Sequence, residues 1–110
     1  MSRSDAELIV DAQHHLAILR QHLVRGDLDD QTVADAVSLR LAAAIEAISQ
    51  ATEDMRSRLF GEDWNLMWAT RNRIAHGYAF VDLAIIGATV DGDLPWFEAA
   101  LQQELDRLRA

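Results

Sequence analysis

The sequence predicts an all-α protein, an antiparallel four-helix bundle with one short additional helix. Apolar residues recur at intervals of three and four along most of the chain, whereas the period-two alternation typical of half-buried strands is missing. The chain has 110 residues, of which 50% are hydrophobic and 25% are charged. This composition favours one folded domain over residues 1–110 rather than a disordered segment.

The first predicted helix runs from about Ser4 to Arg25, and Gly26 ends it. Its apolar residues are spaced four, four, three and four apart and therefore form one stripe. The stripe consists of Leu8, Ala12, Leu16, Leu19 and Leu23.

The second predicted helix begins after Asp29 or Asp30, either of which can cap it. Its stripe keeps a four-three rhythm to the end and gives a length of about 28 residues, with a break near Gln50 left open. The stripe consists of Leu41, Ile45, Ile48, Thr52, Met55 and Leu59. Gly61 then separates it from the next helix.

The third and fourth predicted helices lie in the middle of the chain. Asp63 can cap the third helix, which runs to about His76 and is ended by Gly77. A short fourth helix follows Asp82 and ends near Gly92.

The last predicted helix begins after Asp93, where Pro95 fits the first turn because its missing N–H has no helical partner there. Its buried stripe consists of Phe97, Leu101, Leu105 and Leu108. No linker or repeat separates the helices, and short connections favour antiparallel packing.

The charge of the chain limits its partners. The formal net charge is -8, and all ten cationic residues are arginines. Since general affinity for nucleic acid comes from clustered cations, a broadly basic binding surface is excluded and no DNA partner is expected. Any contact with nucleic acid must be local.

The chain carries no feature of export or membrane insertion. Asp5 and Glu7 interrupt the region where a signal peptide needs an apolar stretch. No apolar run approaches the ~20 residues of a membrane helix. The absence of cysteine excludes disulfides and thiolate metal sites. We therefore expect a cytoplasmic protein without a membrane partner.

The third helix contains a cation on an apolar face. At about 100° per residue, Arg71 falls in the middle of an apolar arc. A guanidinium there must be paired or must face a cleft or interface, because burying it alone costs several kcal/mol. The arc consists of Trp64, Met67, Trp68, Ile74, Ala75 and Tyr78.

Two polar residues accompany this arginine. Asn72 and His76 are four apart and share a helix face, where they could hydrogen-bond. Arg71 and His76 point about 140° apart, so either the helix distorts at Gly77 or a second copy across a two-fold axis completes the site. The alternative is that Arg71 pairs with a buried acid such as Glu46 and that His76 only caps the helix.

The segment resembles the signature of the HEPN superfamily, in which an arginine and a following polar residue precede a histidine. With the added tyrosine, Arg71, Asn72, His76 and Tyr78 look like the HepT-like ribonuclease toxins of bacterial toxin-antitoxin pairs. The order of the flanking residues is also similar to that family. These flanks are Asp35-Ala36-Val37, Leu41, Ile45, Glu46, Ala47, Trp64, Val81-Asp82 and Asp93-Leu94-Pro95.

The resemblance implies a HEPN-like bundle that cleaves RNA without a metal or other cofactor at a homodimer interface. Arg71, Asn72 and His76 are then the catalytic residues, and Glu46 and Arg73 support them. Residue chemistry suits the task, because cleavage by a 2′-hydroxyl needs a base, an acid and a cation.

The resemblance further implies a nucleotidyltransferase antitoxin that neutralises the protein by adenylylating Tyr78. An anionic adenylyl group beside the site would compete with the RNA phosphate. The alternative to an enzyme is a non-catalytic helical module that docks on this partner and is modified by it. A tyrosine merely packed at a helix end is the simplest alternative for Tyr78.

Other residues give weaker indications. Asp11 and His15 have metal-compatible spacing, yet no third ligand is evident, and we predict no metal site. The tryptophans could stack bases, but Trp64 and Trp68 lie on the apolar arc and are interpreted as core or dimer contacts. Trp96 is not assigned to binding either.

Overall fold

A computed structural model describes residues 3–76 and 83–110 of the chain, with the side chains of residues 83–85 excepted. The described residues contain α-helices, one 3₁₀ turn at Gly61–Asp63 and one π turn at Thr89–Asp93, and no strand. The all-α prediction is therefore confirmed. The helices are α1 (Asp5–Arg25), α2 (Gln31–Ser49), α3 (Glu53–Leu59), α4 (Trp64–His76), α5 (Leu83–Ala88) and α6 (Leu94–Arg109).

The four long helices form the predicted bundle. Helices α1 and α2 lie along each other, α4 packs on α2, α6 packs on α1, and the short α3 touches α6. The centre of the core comes from side chains that the predicted stripes contain. These include Leu16, Leu19, Leu41, Ile45, Ile48, Met55 and Leu101, all of them 2% exposed or less.

Helix α1 begins and ends where the sequence predicts. Ser4 and Glu7 form a reciprocal capping box, in which each side chain accepts a hydrogen bond from the backbone N–H of the other. Gly26 follows the last turn with an extended backbone, and a Cβ added there would lie 3.1 Å from Val33 Cγ2. Glycine therefore suits this close approach between α1 and α2 better than any larger residue.

The long second helix is broken, as the open alternative near Gln50 allowed. Thr52 caps α3 by accepting a hydrogen bond from the Met55 N–H at 3.3 Å. Its own N–H and hydroxyl donate to the two carboxylate oxygens of Asp5, at 3.0 and 2.7 Å. These bonds to α1 hold Thr52 outside the helix, so its assignment to a continuous buried stripe was wrong.

Three smaller expectations also need correction or remain open. Leu108 is 36% exposed because it lies in the last turn of α6, beyond most of the core. The predicted helix stop at Gly77 and helix start at Asp82 lie outside the described residues.

Gly61, which was predicted to separate the second and third helices, adopts a φ of 50°. This left-handed conformation favours glycine between α3 and α4.

A buried carboxylate ties α3 to α6. Glu104 is 5% exposed, and its Oε1 accepts hydrogen bonds from Arg58 Nη2 at 2.8 Å and from Arg107 Nη2 at 2.7 Å. Its Oε2 accepts a third hydrogen bond from Arg107 Nε at 3.1 Å. The hydrogen bonds from Arg107, aided by those from Arg58, outweigh burial and lower the pKa of Glu104 to about 2.

This shift predicts how stability depends on pH. Glu104→Gln should lower the free energy of unfolding by about 2 kcal/mol at neutral pH, because the variant loses charge-assisted hydrogen bonds. The folded-state pKa is depressed, so this contribution is complete above about pH 4.5 and is lost as pH falls toward 2. Urea unfolding of both proteins across this range measures it.

The control is Glu98→Gln, which removes the partner of Arg20 at a site where the carboxylate is 34% exposed, against 5% for Glu104. Because such surface pairs contribute only about 0 to 1 kcal/mol, this variant should stay close to wild type. A difference between wild type and Glu104→Gln that stays constant from pH 7 to pH 2 would contradict the role assigned to Glu104.

Candidate active site

Helix α4 carries the candidate site and lies at the surface of the bundle. None of its residues is fully buried; Trp64, Met67, Trp68 and Ile74 are partly buried and pack on the core. Ala75, predicted for the same apolar arc, is exposed. The helix thus buries only part of its apolar surface within the described residues.

Arg71 is held in place by three neighbours. Its Nε lies 3.1 Å from Glu46 Oε2, and its guanidinium carbon lies 4.8 Å from the ring centroid of Trp68. Its Nη1 donates a hydrogen bond to Asn72 Oδ1 at 3.0 Å. The alternative interpretation of Arg71, a pair with Glu46, is therefore confirmed as a structural contact. The side chain is still 25% exposed, so the guanidinium can meet a ligand.

The ion pair between Glu46 of α2 and Arg71 of α4 does not have the geometry of a hydrogen bond. Glu46 Oε2 is buried and has no hydrogen-bond partner among the described residues, although Arg71 Nε lies close to it. The Glu46 side chain as a whole is 43% exposed, so its other oxygen faces water. The contact is best described as an ion pair at close range, and Arg71 Nη2 donates no hydrogen bond to a described residue.

The remaining predicted site residues are spread over the end of α4. His76 is the last residue of the helix and is exposed, whereas Asn72 is partly buried beside Arg71. Arg73 is exposed, and Tyr78 lies outside the described residues. The structure thus brings Arg71, Asn72 and Glu46 together and places His76 about 7.5 Å further along the helix axis.

Aromatic rings continue from Arg71 along α4. Trp68 stacks on Trp64 at a centroid distance of 6.0 Å, and Trp64 contacts the buried Phe60 at 5.7 Å. Arg56 lies over Trp64 at 5.6 Å and donates hydrogen bonds to the carbonyls of Ser49 and Ala51. The sequence did not indicate this row, although the spacing of three between Trp68 and Arg71 is one signal that could have done so.

The structure gives no support to metal binding near the first helix. Asp11 pairs with Arg3, and His15 Nδ1 lies 3.1 Å from Arg40 Nη1. Burial and then the charge of Arg40 lower the pKa of His15. Within residues 3–76 and 83–110, no group of three or more metal-ligating side chains converges. The same ranges contain no helix with the length and apolar character of a membrane span.

The fold and motif together define a class. A helical bundle with an arginine and a histidine five residues apart at the end of a surface helix is consistent with the HEPN superfamily. The model of the family described as "Ribonuclease HepT-like" matches residues 9–104, and the chain belongs to this HepT-like ribonuclease family. No curated protein and no solved structure is significantly similar. Membership supports a ribonuclease function in general.

The contact between Glu46 and Arg71 predicts a modest energetic coupling. In a double-mutant cycle with Glu46→Gln and Arg71→Gln, the coupling in unfolding free energy should be about 0.5 to 1 kcal/mol, because both side chains are partly exposed. A control cycle that combines Arg71→Gln with Glu98→Gln, at a distant glutamate, should give no coupling. A coupling of zero in the first cycle would show that the two side chains do not interact in solution.

Proposed function

We propose that the chain is a metal-independent endoribonuclease toxin of the cytoplasm that acts as a homodimer. The observation that carries this proposal is the position of Arg71, which is held by Glu46 and Trp68 at the surface of α4 with 25% of its side chain exposed. A fixed and partly exposed guanidinium suits the charge that develops on a phosphate during transfer.

A second copy of the chain would complete the site. Arg71 is turned toward the core and His76 toward solvent, as expected for side chains about 140° apart on one helix. Helix α4 also has an exposed Leu66, with 69% of its surface accessible, which lines a groove with Met67 and Thr70. Packing two copies of α4 about a two-fold axis would cover this apolar surface and bring two sets of site residues together.

The chemistry then uses only side chains. One copy of His76 accepts the proton of a 2′-hydroxyl as its oxygen attacks the neighbouring phosphorus. The other copy donates a proton to the departing 5′-oxygen, which leaves a 2′,3′-cyclic phosphate and a 5′-hydroxyl end. The two copies of Arg71 stabilise the charge on the phosphate oxygens in the transition state.

The supporting residues have smaller roles. Asn72 orients Arg71 through its Oδ1 and can present its amide to a phosphate oxygen. Glu46 fixes the guanidinium from the neighbouring helix, and the exposed Arg73 adds positive charge near the end of α4. Both are proposed to position the substrate and the catalytic groups without taking part in proton transfer.

Removal of the histidine tests the enzyme assignment. His76→Ala should lower RNA cleavage by about 10²- to 10⁴-fold, because the general acid and base are lost. His14→Ala, which removes an exposed histidine of α1, should cleave like wild type. Gel assays with EDTA present and circular dichroism of each variant measure this. Full activity of a folded His76→Ala protein would overturn the assignment.

The dimer makes a separate prediction. Because cleavage uses both copies of His76, a dimer with one His76→Ala subunit should be inactive, so an equimolar mixture of wild-type and His76→Ala subunits should keep about a quarter of wild-type activity after exchange rather than half. Subunit exchange through mild denaturant and refolding prepares the mixture. Retention of half of the activity in a mixture that contains heterodimers would place a complete site on one protomer.

Regulation is proposed to act at Tyr78. A nucleotidyltransferase antitoxin would direct the phenolic oxygen to the α-phosphorus of ATP, form a phosphodiester and release pyrophosphate. The adenylyl group would bring negative charge and bulk two residues from His76, where it would compete with the RNA phosphate for Arg71.

Mass spectrometry tests this regulation. Incubation with the cognate nucleotidyltransferase and ATP should add one or more adenylyl groups and abolish cleavage. Tyr78 is the only tyrosine of the chain, so Tyr78→Phe should block both effects while keeping basal cleavage. Equal modification of Tyr78→Phe and wild type would assign the acceptor elsewhere.

The second candidate is a non-catalytic module that docks on the nucleotidyltransferase. The ion pair between Arg71 and Glu46 favours it, because this pair would serve folding even without catalysis. Modification of the protein by the partner, together with the absence of RNA cleavage by the wild-type protein, would select this second function.

A further inference from the structure

We propose that the groove between α3 and α6 is a second RNA-binding surface, in which Arg58 and Arg107 bind a backbone phosphate and Trp96 stacks on an unpaired base. The surface lies apart from the residues assigned to catalysis. The identity of its ligand rests on the proposed ribonuclease function, and the site itself rests on the contacts described below.

The groove has a volume of about 290 Å³ and combines two cations with an aromatic ring. Arg58 comes from α3, whereas Trp96 and Arg107 come from α6. Gln103 adds an exposed amide between them. Guanidinium groups beside an accessible aromatic ring are the composition that binds single-stranded nucleic acid.

The two guanidinium groups are held side by side by the same acceptor. Arg58 Nη2 and Arg107 Nη2 both donate to Glu104 Oε1, at 2.8 and 2.7 Å. Glu104 is buried, whereas the arginines are 43% and 54% exposed. One carboxylate therefore offsets one of two positive charges and fixes both cations at the surface, where their other N–H groups can donate to a phosphate.

Trp96 is a fixed platform rather than a loose surface side chain. Its ring is 5.6 Å from Phe60 in an edge-to-face arrangement of 63°, and Phe60 itself is 4% exposed. Trp96 nevertheless remains 44% exposed. A tryptophan that is anchored on one side and open on the other loses little entropy when a base stacks on it.

The charge of the chain makes this pair of cations unusual. With a net charge of -8, most of the surface repels a phosphate backbone, so a local cationic groove selects where RNA can lie. Base stacking requires an unstacked nucleotide, which favours single-stranded RNA over a duplex. An acidic peptide would use the arginines but would leave the tryptophan without a partner.

The surface is also connected to the candidate active site. Trp96 contacts Phe60, Phe60 contacts Trp64, and Trp64 stacks on Trp68, each at a centroid distance of 5.6 to 6.0 Å. Arg71 lies over the last of these rings. A row of ring contacts that passes through the buried Phe60 therefore links the groove to the candidate active site and fixes the position of Trp96 relative to Arg71.

Binding of an uncleavable strand tests the groove. The probe is a fluorescent oligouridylate of about ten nucleotides with 2′-O-methyl groups, which lacks the attacking hydroxyl. Trp96→Ala, Arg58→Gln and Arg107→Gln should each weaken binding about tenfold. The arginine variants should also reduce the slope of log K against log salt by about 0.7 each, whereas Trp96→Ala should leave the slope unchanged.

Matched variants control for net charge and for folding. Arg20→Gln removes an arginine of similar exposure that also pairs with a glutamate of α6, and it should bind like wild type. Gln103→Glu places a negative charge in the groove without removing packing, and it should weaken binding, whereas Gln21→Glu on α1 should not. Unfolding curves verify that each variant is folded.

The outcomes separate this inference from the proposed function. Unchanged probe binding by Trp96→Ala and Gln103→Glu overturns the proposal that the groove binds RNA, even if wild type cleaves RNA through His76. Weakened binding by these variants, with normal binding by Arg20→Gln and Gln21→Glu, supports the groove even if wild type cleaves nothing. Equal weakening by the groove variants and their controls reflects net charge alone and also overturns it.

Discussion

The rest of the structure depends on the apolar contact between α1 and α2. These helices bury their stripes against each other along most of their length, with Leu16, Leu19, Leu41 and Ile45 almost fully excluded from water. Because α2 uses so much of its surface on α1, α4 packs on what remains and stays half exposed. The candidate active site is possible because α4 lies at this boundary between core and solvent.

Arginine rather than lysine suits that boundary. The planar guanidinium of Arg71 can stack on Trp68 and pair with Glu46 at the same time. A similar arrangement is found at Glu104, where one buried carboxylate accepts hydrogen bonds from both Arg58 and Arg107. In both places a carboxylate fixes a cation for folding and leaves donors that a phosphate can use.

Local signals in the sequence accounted for most of the fold. The cap at Asp30, the glycine stop at Gly26, the stripe of α1 and the first half of the second predicted stripe place these helices correctly. The sequence failed where a distant residue intervenes, as at Thr52, which Asp5 of another helix draws out of the predicted stripe. The burial of Glu104 was also missed. Its partner Arg58 lies on α3, far away in the chain, and no local spacing in the sequence relates the two residues.

The sequence by itself determined the helical class, the motif from Arg71 to Tyr78 and the need for Arg71 to have a partner, because periodicity and charge burial are local properties. Which partner it has was decided by the tertiary structure, through the packing of α2 on α4 that brings Glu46 within 3.1 Å. The groove at Trp96 was likewise invisible in the sequence. Its cations lie 49 residues apart in the chain and meet only because α3 folds against α6.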